Sequence, residues 1–272
     1  MRLPVVPGDL VKSNGHCSVD YSQCEDGYVV VSYLGEFEKK CVVQLKTAKG
    51  GQKFTISDPK MDARLMRYDY FQNIGGVQKV IPLCYGDGPY EMTIHRQIVD
   101  TRYSTLMTWK HDVKIPEPFS PWLFPNTYVS YGPDSLCVNL ARNLRQDAPS
   151  DAIKVQRIFD WMCEHIIYDY PLAVKVSDTD KFWLPCPDEV IQTGKSICFG
   201  FSSLFAAINR INDIPCKVVV GWAGHAYHAW NEVYLQGVWQ RYDVTFSAGK
   251  KQSVAIQNFI GDGNNYRIDY CG

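Results

Sequence analysis

Gly194-Lys195-Ser196-Ile197-Cys198-Phe199-Gly200-Phe201 joins a glycine-led turn to the start of an apolar stripe. Phe201, Leu204, Phe205, Ile208 and Ile211 recur at helical spacing, and Asp213-Ile214-Pro215 ends the run, so a long helix is predicted to begin near Cys198 with one face in the core. A cysteine in the first turn of a helix lies among backbone N–H groups that have no intrahelical partner, at the positive end of the helix dipole. That environment favours a thiolate, which is the attacking form of cysteine.

Downstream the period changes from helical to alternating. Strands are predicted over Cys216 to Trp222, His225 to Leu235 and Val238 to Phe246, with Gln236-Gly237 as a tight turn between the last two. Alternation puts His228, Trp230 and Glu232 on one face of the middle strand and Tyr227, Ala229 and Asn231 on the other. A hairpin turning at Gln236-Gly237 sets residue 245 opposite His228, so Asp243 lies two residues from that mark on the same face. A carboxylate there can accept the imidazole N–H, fix its tautomer and support the imidazolium formed when a thiol gives up its proton. Cys198, His228 and Asp243 are therefore the candidate nucleophile, base and orienting group.

Other readings of the same residues stay open at this point. His225 is the alternative base, although its strand face is opposite that of His228. His225 and His228 with Cys198 or Cys216 make a metal-ligand set, but positions three apart on a strand point to opposite sides. Gly194-Lys195-Ser196 fails as a phosphate loop, because Glu189 stands where the first glycine is required. Trp183, Trp222, Tyr227, Trp230 and Trp239 either line a substrate groove or fill the core beside the sheet. The Cys198 backbone N–H is a candidate oxyanion donor, with Tyr168 or Tyr170 as the second.

The ordered blocks Gly194 to Phe201, Ile214-Pro215, Val219-Val220-Gly221, His228-Ala229-Trp230-Asn231-Glu232-Val233-Tyr234, Trp239 and Asp243-Val244-Thr245-Phe246 together resemble the transglutaminase-like superfamily. The match is strongest over residues 186 to 246. The resemblance implies a papain-like α+β core and carries the triad over as Cys198, His228 and Asp243. It also implies acyl transfer on peptide or protein amides, by hydrolysis as in a cysteine peptidase or amidase, with γ-glutamyl crosslinking and a catalytically silent binding module as the alternatives. No cofactor or metal enters this reading. Ser196 stands where the family often has glycine, and Val244 where proline often follows the aspartate; neither change removes a reacting atom.

Upstream of this core, Ser150-Asp151 opens a helix with Val155, Ile158, Phe159, Met162 and Ile166 on one face, and Asp134 or Ser135 caps another running to about Gln146. Pro187-Asp188-Glu189 starts a short helix that stops at Gly194. From Tyr28 to Ile115 the pattern is period-two. Strands are predicted over Tyr28 to Tyr33, Cys41 to Lys46, Lys53 to Ile56, Tyr90 to Ile98 and Leu106 to Ile115, with turns at Lys49-Gly50-Gly51 and Asp87-Gly88-Pro89. A small immunoglobulin-like β-sandwich accounts for this half, and a similar β domain precedes the core in some bacterial members of the family. Four prolines between Pro116 and Pro125 allow neither helix nor sheet to continue. The expected division is thus a β domain over 1–115, a linker over 116–125 and an α+β domain over 126–272.

A chain of 272 residues suits two domains of roughly 100 to 150 residues each. With 46% hydrophobic and 21% charged residues it can bury a core, and a net charge of −1 gives no attraction for nucleic acid. No run approaches the ~20 apolar residues that span a bilayer. The start, Met1-Arg2-Leu3-Pro4-Val5-Val6-Pro7-Gly8-Asp9, lacks the apolar region of a signal peptide, so the expectation is a cytoplasmic protein, or a secreted or cell-surface one if a leader has been removed. The ten cysteines fall singly and most read as small buried side chains.

Overall fold

The computed structural model describes residues 1–5, 8–33, 40–47, 65–71, 78–99, 102–177, 183–248 and 266–271. They divide into two compact units, one built mainly from Pro4 to Pro121 and the other from Trp122–Gly272 together with Met1–Leu3.

The first unit holds eight strands among the described residues: β1 (Val11–Ser13), β2 (Cys17–Asp20), β3 (Tyr28–Tyr33), β4 (Lys40–Thr47), β5 (Leu65–Phe71), β6 (Gln78–Pro82), β7 (Gly88–Val99) and β8 (Arg102–Val113). They form two antiparallel four-stranded sheets, ordered β1-β2-β3-β6 and β5-β4-β7-β8. Alternation buries Tyr90, Met92 and Ile94 of β7 and Met107, Trp109 and Val113 of β8. The ring of Tyr21, just past β2, lies 5.9 Å from that of Trp109 and 5.2 Å from that of His111. Ile98 is half exposed, at the point where the β7–β8 register shifts between Gln97 and Val99 and leaves it without a partner position. The strand expected over Lys53 to Ile56 and the Lys49-Gly50-Gly51 turn lie outside the described residues.

The second unit mixes helices and strands: α1 (Leu136–Arg145), α2 (Asp151–His165), β9 (Ile167–Tyr168), α3 (Tyr170–Ser177), α4 (Pro187–Thr193), β10 (Lys195–Ser196), α5 (Cys198–Ile211), β11 (Cys216–Ala223), β12 (Ala226–Leu235), β13 (Val238–Tyr242) and β14 (Tyr266–Cys271). Ser150 caps α2 by accepting from the Ile153 N–H, and Gly194 ends α4 at φ 63°. β11 to β14 form one antiparallel sheet in the order β13-β12-β11-β14.

α5 runs through the middle of this unit, and every residue from Gly200 to Ile211 is buried. The predicted apolar stripe is therefore only part of its surface, since Ser202, Ser203, Asn209 and Arg210 are buried as well. Ser203 Oγ donates to the Tyr128 carbonyl at 2.6 Å, and Arg210 donates to the carbonyls of Cys216 at 2.9 Å and Phe124 at 2.8 Å. From β12, Asn231 Nδ2 donates to the Ser202 and Lys217 carbonyls at 2.9 Å each, tying the sheet to the helix. The end of the proline segment packs into this unit too, with Trp122 edge-on to Trp239 at 5.1 Å. Among the described residues, no helix is long and apolar enough to cross a membrane.

Candidate active site

Three local features carry the candidate residues to one place. The first is the N-terminus of α5, where Ile197 supplies no side-chain cap. The first-turn N–H groups around Cys198 therefore have no side-chain partner from that position, and the Cys198 thiol is half-buried. Gly200 keeps this turn compact: a Cβ there would overlap the Ser196 hydroxyl and would lie 3.2 Å from Cη2 of Trp183.

The second feature is the β12–β13 hairpin. Gln236 and Gly237 both take positive φ, 53° and 85°, which suits the twist of a two-residue hairpin. The register follows, with Leu235 opposite Val238 and Asn231 opposite Tyr242. Asp243 thus stands one residue beyond the end of β13, where its Oδ2 is 2.7 Å from His228 Nε2. Both side chains are buried. With Nε2 engaged by the carboxylate, Nδ1 is the ring nitrogen left for another partner, and the Cys198 side chain is within hydrogen-bonding reach of His228. Burial pushes the imidazole down, but the hydrogen bonds to Asp243 and Cys198, with the charges of both, outweigh it and raise the group to about 10. His228 also stacks near Trp230, with centroids 6.3 Å apart, and against Phe246 at 4.9 Å, which limits its rotation.

The third feature is the short parallel pair β9–β10, which sequence periodicity does not show. Ser196 pairs with Tyr168, and the Asp169 N–H donates to the Ser196 carbonyl at 2.8 Å. This clamp brings Tyr168 beside the approach to Cys198. Burial, then the charge of Cys198, then Tyr170 push the Tyr168 phenol up. Tyr170 is 73% exposed, its ring 5.0 Å from that of Tyr168.

Cys198 and His228 open into a cleft of about 500 Å³ that Tyr168, Trp183, Phe199 and Tyr227 also line. α3 contributes Ala173, Val176 and Ser177 to its wall. No element is predicted there from the sequence. The available signal is Asp169 before a proline: its Oδ1 accepts the Leu172 N–H at 2.9 Å and caps the helix. The five aromatics divide between groove and core. Trp183 and Tyr227 line the cleft, Trp222 packs on Tyr227 at 5.5 Å, Trp230 lies in the core, and Trp239 is half-buried against Trp122 and Lys217. His225 is exposed in the turn between β11 and β12, and Cys216 is buried at the far end of β11 from the Gly221–His228 pair.

Residues 138–244, a span that includes Cys198, His228 and Asp243, match the transglutaminase-like superfamily. The chain is 34% identical over 122 residues to the kyphoscoliosis peptidases of Mus musculus and Homo sapiens, an overlap covering 40% of this chain and 18% of each relative. It therefore spans less than a fifth of the length of those relatives. Among solved structures, it is similar to a candidate cysteine protease from Cytophaga hutchinsonii, at 14% identity and TM-score 0.44, covering 90% of this chain and 80% of that one. It is also similar to the periplasmic domain of TgpA from Pseudomonas aeruginosa, at 12% identity and TM-score 0.39, covering 87% of this chain and 95% of that one. The similarity to the transglutaminase-like superfamily is thus one of residues 138–244, the stretch that holds all three candidate residues.

Proposed function

We propose that the chain is a cysteine-dependent acyl-transfer enzyme acting on peptide or protein amides, with Cys198 as nucleophile, His228 as base and acid, and Asp243 as the positioning group. One observation carries this reading: the buried His228 imidazole lies between the Asp243 carboxylate, 2.7 Å away, and a cleft-facing thiol at the start of a helix.

In this reaction the Cys198 proton already lies on His228 as an imidazolium, and the Sγ thiolate forms a bond to the amide carbonyl carbon. The carbonyl oxygen becomes an oxyanion, held by the Cys198 backbone N–H at the helix start and by the Tyr168 hydroxyl. The C–N bond then breaks as the imidazolium gives its proton to the leaving nitrogen, leaving a thioester. Water attacks the thioester with His228 accepting its proton, the C–S bond breaks, and the thiolate–imidazolium pair is restored. Hydrolysis is favoured by the peptidase name of the mouse and human relatives.

The β strands of the first unit are assigned to an immunoglobulin-like sandwich over 1–115. The linker is assigned to 116–125 and the catalytic domain to 126–272.

The test is incubation with an unfolded protein substrate, with and without a primary amine, followed by mass spectrometry of the substrate. New chain termini or deamidated glutamines that vanish in Cys198→Ala support hydrolysis. Cys198-dependent amine adducts replacing those products would assign crosslinking, and an unchanged substrate in every arm would leave a silent binding module and overturn the enzyme reading.

A further inference from the structure

Apart from Ser177, Cys198 and His228, the described side chains lining the Cys198 cleft are aliphatic or aromatic. Around the thiol and His228 stand Tyr168, Val176, Trp183, Ile197, Phe199 and Val220, and none of the lining residues other than His228 carries a formal charge. The same character continues onto the surface on both sides of the mouth. Tyr227 on the β12 side is 54% exposed, and on the α3 side Tyr170, whose ring lies 5.0 Å from that of cleft-lining Tyr168, is 73% exposed. Apolar side chains left in water beside a cleft mark a surface made to be covered.

We infer that the substrate is an extended peptide segment carrying bulky apolar or aromatic side chains next to the reacting amide, gripped between α3 and the start of β12. This rests on the reading of Cys198 as the acyl-accepting thiol, which fixes where the amide must lie. A Phe or Leu beside that amide covers Val176, Trp183 and Tyr227 and removes their apolar area from water. An Asp or Lys in the same place loses its hydration against a wall that offers no counter-charge among its described residues. Discrimination by an apolar pocket of this kind is worth about tenfold or more. Such segments are normally inside folded proteins, so the site is suited to chains that are locally unfolded.

The test uses the full chain carrying Cys198→Ala, so that binding is measured without reaction. Calorimetry compares two peptides of equal length around one glutamine, flanked by Phe and Leu in the first and by Asp and Lys in the second. The apolar peptide is expected to bind at least tenfold more tightly, and Val176→Asp to remove that advantage. Should Val176→Asp fail to fold by circular dichroism, Tyr227→Ala on the opposite wall replaces it and is expected to weaken the apolar peptide selectively. Equal affinities, a preference for the charged peptide or binding of neither would overturn the inference. Failure of the catalytic reading is distinguishable, because it appears as loss of His228-dependent alkylation of Cys198 in the wild-type chain while the peptide preference stands.

Discussion

At the residue scale the proposed chemistry rests on the Asp243–His228 contact. The raised imidazole fixes a direction for its pH dependence. Its ordinary pKa is ~6.5, and the folded value is about 10. Whatever stability the imidazolium contributes is therefore fully present below ~6.5 and is lost as the pH rises through about 10. The His228 Cε1–H resonance should keep its imidazolium shift through neutral pH and titrate only well into the alkaline range; a midpoint near 6.5 would contradict the geometry. Asp243→Asn removes the charge that opposes burial, so the same resonance should titrate at lower pH, and the rate of amide hydrolysis should fall by about 10²- to 10⁴-fold. Unchanged titration in that variant would show that Asp243 has no hold on the ring. The three candidates stand out in the sequence because each lies at a place with its own signal: a glycine-led helix start, a strand histidine and a carboxylate set by a two-residue turn. Tyr168 and Tyr170 could not be told apart by sequence, since their difference arises from the β9–β10 pairing, a two-residue contact with no periodicity.

At the scale of elements, the site depends on α5 being held from both sides. Gly200→Ala should destabilise the fold by about 1 to 3 kcal/mol in urea unfolding, because its Cβ collides with Ser196. Gly200→Ala combined with Ser196→Gly should recover much of that loss; no recovery would place the strain elsewhere. On the sheet, Lys217 and Glu232 form a fully buried pair at 3.2 Å, with Lys217 Nζ 3.7 Å from the centre of the Trp239 ring. Lys217→Met alone leaves a buried carboxylate without this partner and should cost about 3 to 5 kcal/mol, whereas Lys217→Met with Glu232→Leu should be close to neutral. A single variant as stable as the double would contradict the burial. Helices with caps and stripes, α1, α2, α4 and α5, were legible, as was the β12–β13 hairpin. α3 was not, because a helix that buries none of its side chains leaves no amphipathic stripe to read. β14 was not, because its place beside β11 is a contact between residues far apart in sequence.

At the scale of the whole molecule, the candidate site and every element around it belong to the unit from Trp122 onward. A fragment starting at Trp122 should therefore fold and keep the His228–Asp243 contact, seen as the same alkaline titration of His228; an unfolded fragment would show that the unit needs the rest of the chain. The change from period-two to helical spacing around the prolines was plain in the sequence, as was the order of cysteine, histidine and aspartate. How the β strands divide into two sheets was not, since alternation sets a strand's faces but not its neighbours. The central claim is that Cys198 is activated by His228, and the most direct measurement is the rate of alkylation of the intact wild-type chain and of His228→Ala at about pH 6, read by intact mass and peptide mapping. Fast single labelling at Cys198 that is lost in His228→Ala is the predicted result, because an ordinary thiol, with a pKa of ~8.5, reacts slowly there. Slow labelling spread over several cysteines, or labelling of Cys198 at the same rate in both proteins, would contradict the account.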